Sequence, residues 1–125
     1  KDFREKLKEF DFSICNDKNV CIFCSVDAIV PTWAYMLLAI YIQPFAKTII
    51  YGNKDAAVNK IIQLNIPLLS QEQFIEQRVV IKGCGQINIS EETYINLTTF
   101  LNPLVKSLFY GEPCSTVPLF KKKLS

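Results

Sequence analysis

Apolar residues gather along the chain in short runs separated by polar breaks marked with Pro or Gly. Asn19–Ser25 is an apolar run of strand length, and Thr48–Gly52, Arg78–Gly83 and Ser107–Gly111 are three more. Near-continuous apolar strands belong to parallel sheets covered on both faces. Between the first two, Thr32–Ile42 is apolar nearly all round, which predicts a buried helix. Pro31 suits its start, where a missing N–H costs nothing, and Pro44 ends it. Ser90 is a good N-cap ahead of Glu91 and Glu92, and predicts a helix reaching about Leu101. Asp55–Leu64 sets Ala57, Ile61 and Leu64 on one face of a further helix. Residues 2–10 set Phe3, Leu7 and Phe10 on one side of a short amphipathic helix.

A longer pattern lies over these elements. Tyr35, Pro44, Lys47 and Tyr51-Gly52 recur as Tyr94, Pro103, Lys106 and Tyr110-Gly111, 59 positions on. Extending backwards, Val20–Ser25 aligns with Val80–Gly85 at an offset of 60, which sets Cys24 over Cys84. The spacing predicts two copies, 20–52 and 80–111, of one strand–helix–strand unit inside a single α/β domain spanning 1–125. Right-handed crossovers with a helical return favour a three-layer fold around a four-stranded parallel sheet in the order 2-1-3-4. The first and third strands are then central, and their carboxyl ends form a topological switch point of the kind that holds ligands. Cys24 and Cys84 would be neighbours there, close enough to join on oxidation.

Composition narrows the function. A chain of 125 residues fits one domain, and half of it is hydrophobic, which excludes a disordered tail. The longest apolar run, Ala34–Ile42, is about half of the ~20 residues that span a bilayer, so no membrane segment is expected. A net charge of +2 argues against dedicated nucleic-acid binding. His is absent, which removes Ser-His-Asp and Cys-His catalysis and every imidazole metal site. Five cysteines, an odd number without a secretion signal, point to a reducing cytoplasm. The start at Lys1, without Met, predicts a missing amino-terminal segment.

The cysteines carry the candidate chemistry. Cys24 ends the first expected strand, Cys84 ends the third, and Cys114 follows the fourth by three residues. A shared thiol site, buried core positions and a disulfide pair all remain open readings. Cys21 and Cys24 are spaced as a CxxC, but residues three apart in a strand face opposite ways, and a redox CxxC sits at a helix N-terminus. Cys21 therefore reads as core, and Cys15 lies in a polar segment without a visible partner. Lys82 shares the face of Cys84 and would lower its thiol pKa, unless it reaches solvent or pairs with a carboxylate. Gly83 and Gly85 flank Cys84 and allow a sharp turn or a close backbone approach to a ligand. Ser25, Asp27, Glu112, Ser115 and Thr116 are the remaining polar residues near this rim.

The segments Cys24–Ala34 (CSVDAIVPTWA), Arg78–Cys84 (RVVIKGC) and Gly111–Pro118 (GEPCSTVP) resemble a bacterial family of domains of unknown function. The likeness covers almost the whole chain, the last segment is its most specific part, and family members are longer at the amino end. The family is associated with genes for sulfur mobilisation, so the resemblance implies iron–sulfur assembly proteins as partners. Soft thiolates select zinc, copper(I) or iron–sulfur clusters. The leading expectation is a zinc or iron–sulfur site on Cys24, Cys84 and Cys114, its fourth position left to water, Asp27, Glu112 or a partner's residue. A thiol enzyme carrying sulfur or reducing equivalents on Cys84 or Cys114 is one alternative. An interaction module with structural cysteines is the other.

Overall fold

Each half of the chain folds a strand, a helix and a second strand parallel to the first. In a computed structural model, residues 2–83, 85–112 and 115–123 are described, and the chain divides into two units, 1–57 and 58–125. The first unit opens with α1 (Asp2–Glu9) and a 3-10 turn at Phe12–Cys15. There follow β1 (Asn19–Ile22), α2 (Thr32–Ile42) and β2 (Thr48–Tyr51), with Asn19 opposite Thr48 and Ile22 opposite Tyr51. Pro31 stands at the N-cap of α2 in an extended conformation, as its fixed φ allows. Alternation along β1 turns Ile22 into a core with Leu7, Phe12 and Ile42, against which Val20, Ile49 and Cys15 pack. Cys21 takes the opposite face of the strand and is half-buried.

Helix α3 (Lys54–Asn65) starts in the first unit and ends in the second. The second unit continues with β3 (Arg78–Lys82), α4 (Glu91–Leu101), β4 (Ser107–Glu112) and β5 (Ser115–Lys121). Strands β3 and β4 are parallel from Arg78–Ser107 to Lys82–Gly111, and β5 returns antiparallel to β4. Ile81, Leu101, Val105 and the fully buried Leu108 form the core between this sheet and α4.

The two strand–helix–strand units keep step at a separation of 59 residues. The first rung is Asn19–Thr48 in one and Arg78–Ser107 in the other. Asp17 and Glu76 both take a left-handed φ of 58° ahead of the first strand. Their amides donate to Phe45 O at 2.8 Å and Leu104 O at 2.9 Å. This register sets Val20 against Val79 rather than Val80, so the counterpart of Cys24 is Gly83, one residue short of Cys84.

The sheet departs from expectation. The strands form two sheets, β1-β2 and β3-β4-β5, in place of one four-stranded parallel sheet in the order 2-1-3-4. Two charged and exposed residues, Arg78 and Lys82, bracket β3, and Val80 between them is 46% exposed. That is the pattern of an edge strand, not of a central one covered on both faces. Strand β5 takes the outer edge of β4, and its Pro118 is tolerated because an edge position needs no N–H donor. The expected juxtaposition of Cys24 and Cys84 rested on that central pairing, and Cys84 lies outside the described residues. Helix α2 also differs: Ala34 and Ile42 are buried but Trp33, Met36 and Ile40 are exposed, because a sheet covers one side of a helix only. Among the described residues no helix is long and apolar enough to cross a membrane.

Candidate functional site

The carboxyl ends of β3 and β4 collect most of the polar residues singled out in the sequence. Lys82, the last residue of β3, lies opposite Gly111, which in turn lies opposite Thr116 on β5. Glu112 ends β4 and lies opposite Ser115. Lys82, Gly83, Glu112, Ser115 and Thr116 thus reach one end of one sheet. Cys84 and Cys114 lie outside the described residues.

A cleft of about 450 Å³ opens at this end, lined by Lys82, Gly83, Gly85, Tyr94, Tyr110 and Glu112, with Gly111 in its floor. Tyr94 comes from α4 and Tyr110 from β4, and their rings meet edge to face with centroids 5.5 Å apart. A Cβ on Gly83 would stand 2.5 Å from the Tyr94 hydroxyl, so a side chain there would have to displace that phenol. A Cβ on Gly111 would stand 3.0 Å from Cγ of Lys82 and 3.4 Å from its Cε, so the lysine stem lies over the bare backbone of β4. Among the described residues the ion pairs are Lys6–Asp2 and Lys122–Glu76; Lys82 and Glu112 take part in neither.

The segment leading into the cleft is clamped from α3. Asn59 is 93% buried in the sense that only 7% of its surface is exposed. Its amide donates to Asn88 O at 2.9 Å, and its Oδ1 accepts from Ser90 N and from the Thr93 hydroxyl, both at 2.8 Å. Ser90 in turn caps α4 by accepting from Thr93 N at 3.2 Å. Gln63 extends the contact to Thr93 and Asn96. A buried network satisfied in this way specifies one arrangement of the groups it joins.

In the first unit Cys24 lies just beyond β1, half-buried, and its thiol donates to Val26 O at 3.0 Å. Tyr35 and Tyr51 meet beside it, edge to face at 5.6 Å. Burial pushes the Tyr35 phenol above its ordinary range, and the neighbouring Tyr51 and Cys24, whose ionised forms would repel its own, add to the shift. An apolar hollow of about 180 Å³, lined by Phe23, Cys24, Val30, Tyr35 and Leu38 among others, adjoins the thiol. Ser25 and Asp27 are exposed in the loop that follows. Among the described residues, no group of three or more His, Cys, Asp or Glu could hold a metal ion.

Three participants escaped the sequence: Tyr94, Tyr110 and Asn59. Both tyrosines stood in the repeated spacing, where they served as markers of period rather than as hydroxyls facing a cleft. Asn59 carried no signal, because nothing in a lone polar residue of a helix announces the loop it will hold. Comparison with curated proteins and with solved structures returns no significant match. A family model does match, over residues 1–122, and by that match the chain belongs to the family described as Protein of unknown function (DUF2480).

Proposed function

We propose that this protein holds a soft metal ion or an iron–sulfur cluster on cysteine thiolates, as an accessory factor of iron–sulfur assembly. Cys84 and Cys114 are the thiolates of the second unit, and Cys24 is the further thiolate nominated by the sequence. The observation that carries the reading is the register of the second sheet. Lys82 and Glu112 each precede a cysteine by two positions, and both stand at the same end of neighbouring strands. The Lys82 ammonium favours a thiolate over a thiol in its neighbourhood. Ser115 and Thr116 offer hydroxyl donors to sulfur, and Glu112 or Asp27 offers an oxygen ligand for an incomplete thiolate set. Cys24 gives up its hydrogen bond to Val26 O if it ligates, since the thiolate is the ligating form. The matched registers of the two units support their origin as copies of one strand–helix–strand element.

Anaerobic purification tests the reading directly. Protein that carries a cluster is brown, with visible absorbance that bleaches in air, and protein that carries zinc shows about one ion per chain by elemental analysis. Colourless protein without metal, still so after reconstitution with iron and sulfide or with zinc, would reject it.

A further inference from the structure

We infer that the open face of the β3-β4-β5 sheet is a docking surface for an acidic amphipathic helix of a partner protein. Register and alternation fix what this face presents. Val79, Ile81, Leu108, Tyr110 and Phe120 turn toward the core. The residues between them form rungs on the other side. In the first, Arg78 and Lys121 flank the buried Ser107. The second is apolar: Val80 is 46% exposed, Phe109 is half-buried and Pro118 is exposed. Lys82 stands beside Gly111 in the third. Two contacts agree with this placement. The Lys121 ammonium lies 5.6 Å from the centre of the Phe109 ring. A Cβ on Gly111 would meet Val80 Cγ1 at 3.3 Å and Lys82 Cγ at 3.0 Å.

Charge selects the occupant. These rungs carry cations at both ends of an apolar strip and no carboxylate among them. Arg78 and Lys121 take part in neither ion pair of the described residues, and Glu76, the acid nearest Arg78 in sequence, is spent on Lys122. Alternation sends Glu112 to the side of Tyr110. A second copy laid face to face would set like charges together, whereas an anionic partner meets its complement. Parallel strands such as β3 and β4 are ordinarily covered by helices on both faces, and the core with Leu101 of α4 covers one. Alternate rungs lie about 6.6 Å apart, close to the ~5–6 Å radius of a helix with its side chains. A helix laid along the middle rung therefore sets its apolar stripe on Val80, Phe109 and Pro118 and its flanking carboxylates over the cations on either side. Single-stranded nucleic acid fits less well, because Lys121 already lies over Phe109, the one aromatic ring of these rungs. Arg78, Lys121 and Val80 carry the inference, and none of them enters the metal reading.

The test is titration of the full chain into a labelled synthetic helix of roughly 18 residues, long enough to hold its fold in water, with a Leu stripe flanked by Glu. Binding is read by fluorescence anisotropy, and the comparison is a twin peptide with Lys for every Glu. The acidic peptide is expected to bind, its twin at least about tenfold more weakly, and added salt to weaken the complex. Arg78→Gln and Lys121→Gln, both at exposed positions, are each expected to weaken binding about threefold and together about tenfold. Val80→Thr keeps the branched shape, puts a hydroxyl in the apolar rung, and should cost about as much as either. Lys60→Gln, exposed on α3, should change nothing. Chelator-stripped protein should bind the peptide as untreated protein does, so metal content and peptide binding are separate results. The proposal is overturned if the acidic peptide binds no better than its twin, or if the double variant binds it as the unaltered chain does. Tighter binding of oligo-dT or of phosphatidylserine vesicles than of the acidic peptide would overturn it in favour of a nucleic acid or a membrane.

Discussion

Gly83 and Tyr94 stand so close that a Cβ on the glycine would lie 2.5 Å from the phenol oxygen. The contact ties the turn after β3 to α4, and the edge-to-face packing of Tyr94 on Tyr110 carries it on to β4. Gly83→Ala must displace the Tyr94 ring and open that packing. We expect a loss of about 1 kcal/mol, the scale of one aromatic edge contact. Denaturant midpoints check it, and an unchanged midpoint would contradict the contact.

Asn59, itself buried, joins three groups around the start of α4. Asn59→Ala removes a partner from the Asn88 carbonyl, the Ser90 amide and the Thr93 hydroxyl, of which Thr93 keeps Gln63 and Ser90. The expected cost is about 1–2 kcal/mol, since the half-buried Ser90 amide loses its acceptor and the solvent-near Asn88 carbonyl can turn to water. Asn59→Asp keeps the acceptor, loses the donor to Asn88, and sets a negative charge at the start of α4, so it should cost less than alanine. Equal losses for the two variants in urea unfolding would show that the hydrogen bonds are not what holds this segment.

Tyr35 gives the first unit a signature at high pH. Folding raises its pKa above the ordinary 10.0, through burial first and then through Tyr51 and Cys24. Its contribution to stability is therefore in full below pH 10.0 and is lost as pH rises through the folded value. Tyr51→Phe should bring the Tyr35 titration, followed by NMR of the ring, down toward the ordinary value without fully restoring it, because burial remains. No movement would separate the two phenols.

Asp17 and Glu76 share a left-handed backbone that a side chain resists, both at φ 58°. Asp17→Gly should leave stability unchanged or raise it by at most about 1 kcal/mol. Glu76→Gly gains less, because it also gives up the exposed ion pair with Lys122. A loss of 1 kcal/mol or more for Asp17→Gly, on the scale of an ordinary helix glycine penalty, would contradict the strained turn.

Helices were the legible part of this chain. Pro31, Pro44 and Ser90 bound α2 and α4 at the residues where the structure ends them, because caps and breakers act locally. Strand partners were legible within each strand–helix–strand unit, β1 beside β2 and β3 beside β4, but whether β1 pairs with β3 was not. Alternation in Val79, Val80 and Ile81 tells which side chains share a face but not which strand lies alongside, and Arg78 and Lys82 were the overlooked marks of an edge. Strand β5 was missed because Pro118 and the Gly-Glu-Pro approach look like a loop, although a proline is at home on an outer strand. Lys82, Glu112, Ser115 and Thr116 could be placed at the end of a sheet from position alone. The tyrosines could not, since their role depends on the glycine beside them.

Metal content across single cysteine variants tests the central claim most directly. Cys84→Ser and Cys114→Ser should each lose most of the bound metal or cluster under anaerobic conditions, and Cys24→Ser should do the same if it supplies the third thiolate. Cys21→Ala, on the opposite face of β1 from the core, should keep its metal. Equal metal content in the Cys84, Cys114 and Cys21 variants would contradict a thiolate site at the end of the second sheet.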